Sequence, residues 1–429
     1  MAVIVVDHDG GDMTLACLRA LAATEWPGRL RVVLVDNASA RPLGAAAVAA
    51  LGGELVPSAC NLGFAGGVNL GLQHVGTGTP DGPELVALMN NDAFVAPGWL
   101  APLVAALDAD AGLGAAQSKL LFEPVFAPLT VSAPLRPQRR GPEVGVRVDA
   151  PPGSVFGAGF DAIRPGEWWT TAPEAVLYVP AASDPAAPVV ADEAAAGATA
   201  ADTVVDAAAA GLTVRLSFEG AAGATVDGRS VPVPGAVDVA LPTARCSVVQ
   251  NAGNELTPAL WVRDRGAREP DDGRFDEPCA VWGWCGGGVL LRGAYLDDVG
   301  WMDERFFLYW EDVDLSWRGA LRGWRYGYVP ASVVRHRHGA SMGALNPRFE
   351  ALNQRNRLVV LARHAGGRAA ARALARTAAE AAWFAWRDVV VVLVRERRRP
   401  SWRRSSVRVR ALAGAAAMLA RRPRAATGR

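Results

Sequence analysis

The first 122 residues alternate between short apolar runs and helical patterns, which indicates a parallel sheet with helices on both faces. The runs that predict strands are Ala2–Val6, Arg31–Val35, Glu54–Val56, Glu84–Met89 and Gly114–Leu121; those that predict helices are Met13–Ala23, Gly44–Leu51, Gly66–Val75 and Trp99–Asp108. Ligands bind such doubly wound α/β sheets beyond the carboxyl ends of the strands. The polar residues near these ends are Asp7, Asp36, Asn37, Asn61 and Asp92. We therefore expect a ligand site at this edge of a mostly parallel sheet.

The pattern changes between residues 123 and 247, where apolar and polar residues alternate with a period of two. Examples are Val144–Val148, Leu212–Phe218 and Val237–Leu241, and they predict antiparallel strands with one buried face. We expect an inserted β-rich, sandwich-like module with a loose loop at Pro180–Asp202. Its Trp168–Trp169 pair is either a stacking platform for a glycan or part of a passive surface elaboration.

Residues 248–345 return to mixed structure, and the pattern from 346 to 429 is helical. The apolar segment Ala378–Val394 is interrupted by charged residues, so it is a poor transmembrane span. Arginines crowd the chain from Arg395 onward. An interfacial helix on an anionic membrane and a core-packing helix with a solvated basic tail both fit this pattern.

Composition adds three constraints. A net charge of +1 gives no general attraction to nucleic acid, and Lys119 is the only lysine. The five cysteines are odd in number and contain no Cys-x-x-Cys pair, so we expect neither a disulfide framework nor a zinc ribbon, and a reducing cytoplasm. The chain opens in a predicted strand rather than an apolar leader, so no signal peptide is expected.

The segment Phe307–Arg318 places the carboxylates Glu311, Asp312 and Asp314 among large aromatic residues. Carboxylates in apolar surroundings have shifted pKa values, and a carboxylate with such a pKa can act as a general base. A second polar cluster, Asn90-Asn91-Asp92, follows a predicted strand far upstream. One cluster could hold a metal ion while the other takes a proton, a pairing typical of group transfer from a phosphorylated donor.

These landmarks belong to a longer series of motifs, which are Ile4–Gly11, Val33–Ser39, Asn61–Asn69, Leu88–Asp92, Gly286–Arg292, Gly300–Arg318 and His336 with Ser341. In order and spacing they resemble the family 2 glycosyltransferases of the GT-A fold, especially the bacterial rhamnosyltransferase-like and galactofuranosyltransferase-like branch. The resemblance implies a nucleotide-sugar-binding half at 1–122 and an acceptor and catalytic half at 248–345. The insert at 123–247 and the region from 346 to 429 lie outside it.

For the donor, the resemblance implies contacts from Asp7, Asp9, Asp36, Asn61, Gly63, Asn69 and Asn91. A carboxylate such as Asp36 accepts hydrogen bonds only, which suits ribose hydroxyls and ring N–H groups. Glycines in the Asn61–Asn69 loop would let backbone N–H groups approach phosphate oxygens. The alternative for Asp36 and Asn37 is a turn or a helix-capping pair.

For the metal, the resemblance implies Asp92 as the main charged ligand, with Asn90 and His336 beside it. A hard divalent cation, Mg²⁺ or Mn²⁺, prefers oxygen ligands and would bridge the phosphates of the donor. His338 is an alternative to His336.

For catalysis, the resemblance implies Asp312 as the base that deprotonates the acceptor hydroxyl. Gly286, Gly287, Trp310 and Glu311 would then line the acceptor site. The alternative is that these acids only begin a helix, where the dipole favours negative charge.

The resulting hypothesis is an inverting, metal-dependent glycosyltransferase. It would use a dTDP- or UDP-sugar, rhamnose first, and a glycan or lipid-linked glycan acceptor of the cell envelope. Two alternatives are a degenerate transferase that serves as a scaffold or glycan-binding subunit, and a sugar-nucleotide pyrophosphorylase. The second lacks support because the loop after the first strand, residues 8–12, has neither Arg nor Lys.

Overall fold

The computed structural model describes residues 1–123, 125–137, 143–151, 154–164, 167–180, 213–220, 223–242, 244–337, 347–387 and 403–420. Its main feature is a ten-stranded mixed sheet. Numbered in chain order, the strands of this sheet are β1 (Ala2–Asp7), β2 (Arg31–Asp36), β3 (Gly53–Pro57), β4 (Leu85–Asn90), β5 (Ala93–Val95), β6 (Leu113–Phe122), β17 (Val249–Asn251), β20 (Cys279–Val281), β21 (Gly288–Arg292) and β22 (Arg325–His336).

Helices cover both faces of this sheet. They are α1 (Asp12–Ala22), α2 (Ala45–Ala50), α3 (Gly63–His74), α4 (Leu100–Ala109), α5 (Gly293–Val299) and α6 (Glu311–Ala320). Val3 and Val5 of β1 pack into the core that contains α1 and α4, whereas Ile4 packs into the core that contains α3. A strand buried on both faces needs a continuous apolar run, which is what the sequence of β1 provides.

The main path of the sheet runs in the order β20-β22-β6-β21-β4-β1-β2-β3. Strands β3, β2, β1 and β4 are parallel, as predicted. The second half differs, because β21 lies antiparallel between β4 and β6. The predicted α/β fold class is therefore confirmed, but the sheet is mixed rather than mostly parallel.

Two five-stranded sheets form the β-rich insert. Their strands are β7 (Phe126–Ser132), β8 (Val146–Asp149), β9 (Val155–Phe156), β10 (Phe160–Arg164), β11 (Glu167–Thr170), β12 (Glu174–Pro180), β13 (Thr213–Gly220), β14 (Thr225–Val226), β15 (Arg229–Ser230) and β16 (Gly235–Ala240). Residues of both sheets, such as Leu177 and Leu216, share one apolar core. The predicted loop after Pro180 lies outside the described residues.

The side chain of Trp168 is enclosed by other protein groups. Its ring stacks on Phe156 with the centroids 4.9 Å apart, and the guanidinium of Arg268 lies 5.0 Å from the ring centroid. A sugar cannot stack on a face that another side chain already covers. The interpretation of Trp168 as a glycan platform is therefore not supported.

Three helices follow the main sheet, namely α7 (Pro347–His364), α8 (Gly367–Ala385) and α9 (Arg403–Ala420). They form an apolar cluster with Phe306, Trp310, Val313 and Trp317, next to the start of α6. The basic run at 395–399 lies outside the described residues, as does most of the carboxyl half of the predicted apolar segment. Where the chain is described, no helix combines the length and apolar character needed to cross a membrane.

Lys119 of β6 has a buried side chain that forms ion pairs. Its Nζ lies 2.8 Å from Asp271 Oδ1 and also contacts Asp276. Hydrogen bonds from the ammonium group to these two acids outweigh the effect of burial and raise the pKa of Lys119. The pairs tie the segment at 271–276 to the main sheet.

Candidate active site

A buried histidine and a buried aspartate lie side by side at the carboxyl end of β4. His336 Nε2 is 2.8 Å from Asp92 Oδ1 and 3.0 Å from Asn90 Nδ2. The pairing of β22 with β5, which sets His336 opposite Ala93, produces this contact because Asp92 directly precedes β5. The structure thus brings together the three residues predicted as metal ligands. Among the described residues, no group of three or more His, Cys, Asp or Glu side chains could hold a metal ion, and here Asn90 stands where a third acid would be needed.

Gln250 of β17 contacts the ring nitrogen of His336 that faces away from Asp92. Its Oε1 is 2.7 Å from His336 Nδ1, and since an amide oxygen can only accept, Nδ1 must donate. The lone pair of a neutral His336 is then on Nε2, directly opposite the carboxylate of Asp92. Two acceptors at this distance need a proton or a cation between them, so the donor set fits a divalent metal ion. A rotated Asn90 amide would add its oxygen to the set.

The segment that precedes α6, residues 306–310 (here the entry loop), has an unusual backbone. Phe307, Tyr309 and Trp310 have φ angles of 66°, 69° and 72°, a left-handed conformation that costs a residue other than glycine about 1–2 kcal/mol. The entry loop packs closely on the glycine-rich loop, where a β-carbon at Gly63 would lie 2.2 Å from Phe307 O. Glycine is therefore required at position 63 for this contact.

Helix α7 holds the entry loop in place. Asn356 is fully buried, and its Nδ2 lies 3.0, 2.8 and 2.7 Å from the carbonyl oxygens of Phe306, Leu308 and Tyr309. One turn earlier, Asn353 Oδ1 accepts a hydrogen bond of 2.6 Å from Trp310 Nε1. Neither asparagine was predicted, because single amides in a helical pattern give no signal. Trp310 was predicted at the acceptor site, whereas its indole is buried against α7.

The carboxylate of Asp314 is buried and paired with basic side chains of α6 and α7. Its Oδ1 contacts His364 Nε2 at 2.9 Å and Arg363 Nη1 at 3.2 Å, and its Oδ2 contacts Arg318 Nε at 2.9 Å. Burial opposes ionisation, but the hydrogen bond from His364 and the charges of both arginines lower the pKa of Asp314. Because its oxygens are occupied by cations, Asp314 fastens α6 to α7 and is not available as a base.

Glu311 and Asp312 lie in different environments although they are neighbours. Glu311 is 5% exposed and its Oε2 has no hydrogen-bond partner among the described residues; burial and the charge of Asp312 raise its pKa well above the usual range. Asp312 is only half-buried, and burial raises its pKa to about 6 while the N–H groups of Val313 and Gly286 oppose that rise. Burial therefore disfavours the charge on Glu311 more than on Asp312, whose carboxylate is stabilised by two backbone N–H groups.

Two consecutive glycines lie between this acid pair and the cluster of Asp92, Asn90 and His336, the predicted metal ligands (here the metal corner). Gly286 N is 3.4 Å from Asp312 Oδ2, whereas a β-carbon at Gly287 would lie 3.6 Å from Asn90 Nδ2. Successive Cα atoms are about 3.8 Å apart, so the carboxylate and the predicted metal ligands flank one short stretch of backbone. Both glycines were predicted at the acceptor site, and they lie between the Asp312 carboxylate and the predicted metal ligands.

On the donor side, the ends of β1 and β2 and the glycine-rich loop come together. Asp36 is opposite Asp7 in the strand register and accepts a hydrogen bond from Ser39 N. Asn37 connects this edge to the loop, since its Oδ1 accepts from Leu62 N at 2.8 Å and its Nδ2 donates to Gly63 O at 2.9 Å. Two further predicted residues, Asp9 and Asn61, are exposed here.

Three residues predicted to bind the donor bond to protein groups instead. Asn91 Nδ2 donates to Asp7 Oδ1 at 2.7 Å, and Thr14 Oγ1 donates to the same oxygen at 2.7 Å. Asn69 Nδ2 donates to Met302 O at 2.8 Å, and its Oδ1 accepts from Met302 N. These contacts assign Asp7, Asn91 and Asn69 to holding loops in place. Contact with the donor remains a prediction for Asp9, Asp36, Asn61 and Gly63.

The arrangement of strand ends, loop and acids agrees with comparisons to known proteins. Residues 2–122 match the model of glycosyl transferase family 2. Two curated relatives, from two strains of Mycobacterium tuberculosis, are named N-acetylglucosaminyl-diphospho-decaprenol L-rhamnosyltransferase. Each is 32% identical over 122 residues, which is 28% of this chain and 40% of the relative.

Among solved structures, this chain is similar to two transferases that were solved with a nucleotide or nucleotide sugar and Mn²⁺. One is GalNAc-T7 with UDP, GalNAc and Mn²⁺, at 12% identity and a TM-score of 0.41, covering 84% of this chain and 47% of that one. The other is the mannosyltransferase PcManGT from Pyrobaculum calidifontis in complex with GDP-Man and Mn²⁺, at 14% identity and a TM-score of 0.41, covering 97% and 86%. Similarity of this extent does not bear on the reaction of the chain.

Proposed function

We propose that this protein is an inverting, metal-dependent glycosyltransferase that moves a sugar from a nucleoside diphosphate to a cell-envelope glycan or glycolipid. The observation that carries the proposal is the position of Gly286 and Gly287 between the Asp312 carboxylate and the corner of Asp92, Asn90 and His336. A base and a set of cation ligands at opposite ends of one short segment suit an acceptor and a donor diphosphate that meet between them. We assign the donor to residues 1–122 and the acceptor to residues 248–345.

Asp312 acts as the base in this scheme. The acceptor hydroxyl oxygen forms a bond to the anomeric carbon as the bond from that carbon to the donor phosphate breaks, and the hydroxyl proton passes to Asp312. A single displacement of this kind inverts the anomeric centre. The raised pKa of Asp312, about 6, matches this role, because a base whose pKa is close to neutral is both ionised and able to take a proton.

Asp92 and His336 would hold the metal ion, with Asn90 as a weaker third ligand. When bound, a divalent ion neutralises charge that develops on the leaving diphosphate. Gln250 keeps the lone pair of His336 directed at this position. The glycine-rich loop contributes backbone N–H groups on the same side of the leaving group.

The transferred sugar is proposed to be rhamnose from a dTDP donor, with a UDP-sugar as the next choice. The names of the two mycobacterial relatives support rhamnose and a lipid-linked acceptor. Because the match covers only 40% of those relatives, we assign no residue of this chain to the selection of the sugar or acceptor on their basis.

A peripheral position at the inner face of an anionic membrane fits the carboxyl-terminal helices. Trp383 and Trp386 of the α8 end are exposed, with their ring centroids 5.1 Å apart. Indole rings are favoured at membrane interfaces. This position would bring the site to a lipid-linked acceptor.

A second candidate function is a non-catalytic glycan-binding or scaffold subunit. The observation that favours it is the amide of Asn90 in place of a carboxylate, which weakens the charge of the metal corner. The two candidates differ in whether metal and nucleotide bind together.

The thermal stability of the full chain, measured with UDP, dTDP, GDP and CDP and with or without Mn²⁺, tests the proposal. A ligand at about 100 times its Kd adds roughly 2.7 kcal/mol to the free energy of unfolding. A metal-dependent shift with one nucleotide, together with sugar transfer that is lost in Asp312→Asn and kept in Asp238→Asn, supports the enzyme. Asp238 is an exposed acid of the insert and serves as the matched control. No shift with any nucleotide favours the scaffold.

A further inference from the structure

Arg357 of α7 is a buried arginine that lacks a hydrogen-bonding partner for its Nε. Arg357 is 8% exposed, and no acceptor among the described residues lies within hydrogen-bonding distance of its Nε. The guanidinium carbon lies 3.6 Å from the centroid of the Trp261 ring, so the indole covers one face of the group. Trp261 itself is 42% exposed. Because buried polar groups are normally hydrogen-bonded, a guanidinium in this state points to a group that receives an external anion.

The neighbouring charges leave Arg357 with an excess of positive charge around it. Glu380 is the carboxylate that attracts it, but Glu380 also bonds to Arg376 at 3.0 Å and to Arg408 at 3.3 Å. Burial, followed by repulsion from Arg376, lowers the pKa of Arg357. An anion that entered here would meet a net attraction.

A hairpin connects this position to the candidate active site. Its strands are β18 (Asn254–Leu256) and β19 (Val262–Asp264), and Trp261 immediately precedes β19. The charge of Asp264, at the other end of β19, acts on Asp312. At about 3.3 Å per residue, Trp261 and Asp264 are about 10 Å apart along the strand. A sugar residue and the phosphate attached to it can span such a distance.

We propose that Arg357 and Trp261 form an anion subsite for a phosphate or diphosphate ester carried by the acceptor. The inference rests on the proposed function, since it places the acceptor hydroxyl at Asp312. A guanidinium binds phosphate oxygens with paired N–H donors, and the exposed indole supplies an apolar wall beside them. The phosphate of a membrane lipid headgroup has the same chemistry, and the experiment below separates these two sources.

Binding of inorganic pyrophosphate to the full chain in metal-free buffer tests the subsite directly. Arg357→Gln should weaken this binding about 10- to 100-fold, the usual loss for a charge-assisted hydrogen bond. The matched control, Arg215→Gln, removes an exposed arginine of the insert that is paired with Asp238 and should leave binding unchanged. Equal binding by the unaltered chain and Arg357→Gln overturns the proposal. If Arg357→Gln does not fold, Trp261→Leu takes its place, and unchanged binding by that variant overturns the proposal.

Transfer kinetics identify the source of the phosphate. With an acceptor that carries a diphosphate, Arg357→Gln should raise KM and leave kcat unchanged; with the neutral sugar acceptor it should change neither. If KM stays constant while retention on vesicles of phosphatidylglycerol and phosphatidylcholine falls, the phosphate is that of a lipid headgroup and the acceptor assignment is wrong. A chain that binds pyrophosphate through Arg357 but transfers no sugar disproves the proposed function and leaves the subsite standing.

Discussion

Replacement of Asn356 by alanine is expected to disable sugar transfer while it changes the free energy of unfolding only slightly. The Asn356 amide has two hydrogens and lies within 3.0 Å of three entry-loop carbonyl oxygens. Each buried carbonyl that loses its donor costs about 1–3 kcal/mol. If the entry loop kept its conformation, the loss of two bonds would therefore cost about 2–6 kcal/mol.

The entry loop can avoid this cost by changing its backbone conformation. Phe307, Tyr309 and Trp310 are all in the left-handed region, and their return to ordinary conformations would recover about 3–6 kcal/mol. The two quantities are similar, so we expect the loop to rearrange rather than the protein to unfold. Glu311 and Asp312 directly follow the loop, and a displacement of about 1 Å at a reacting group can lower the rate about 100-fold.

Urea unfolding and single-turnover transfer, measured on the same preparation, check this prediction. Asn353→Ala is the matched control, because it lies one turn earlier on α7 and removes only the hydrogen bond to Trp310 Nε1. We expect kcat to fall at least about 100-fold in Asn356→Ala and much less in the control. The reasoning is refuted if Asn356→Ala loses several kcal/mol of stability while its folded fraction retains the normal kcat.

Three further predictions concern the reactive groups. Asp312→Asn should lower kcat by about 10²–10⁴-fold. Above neutral pH it should also raise the free energy of unfolding by up to about 3 kcal/mol, because folding raises the pKa of this carboxyl from 3.8 to about 6. An unchanged urea midpoint would contradict the expected gain in stability. For the same reason, the contribution of the protonated Asp312 to the free energy of unfolding is fully present below about pH 4 and is lost as the pH rises through about 6. In contrast, kcat/KM should rise through about pH 6 as the base ionises. A profile of kcat/KM that is flat between about pH 5 and 7 would exclude Asp312 as the base. Gln250→Leu should weaken Mn²⁺ activation about 10- to 100-fold, measured by metal titration after chelation, and an unaltered titration would show that Gln250 does not orient His336.

The amino-terminal half of the fold was predictable because its signals are local. The apolar runs of β1, β2 and β4 and the helices between them are continuous in sequence, and parallel pairing follows from their alternation. The position of β21 was not predictable. Its apolar run fits either direction, and its place between β4 and β6 depends on partners far away in the chain.

The sequence singled out Asp312 and His336 because carboxylates and imidazoles are the usual bases and metal ligands, and their roles stay predictions. Amides have many alternative uses, because they donate and accept equally well. Asn69 and Asn91 therefore suggested ligand contacts, although both bond to protein groups, and Gln250 and Asn356 gave no signal although they position the site.

The ion pairs of Lys119 have a practical consequence for following the protein in solution. As the only lysine, it supplies the one side-chain primary amine of the chain, and its side chain is 5% exposed. An amine-directed acylating reagent can therefore modify this position only after the contact with Asp271 and Asp276 opens. The rate of acylation at Lys119, followed on the peptide that contains it and apart from the α-amino group, would report how often the segment at 271–276 separates from β6, with no engineered label.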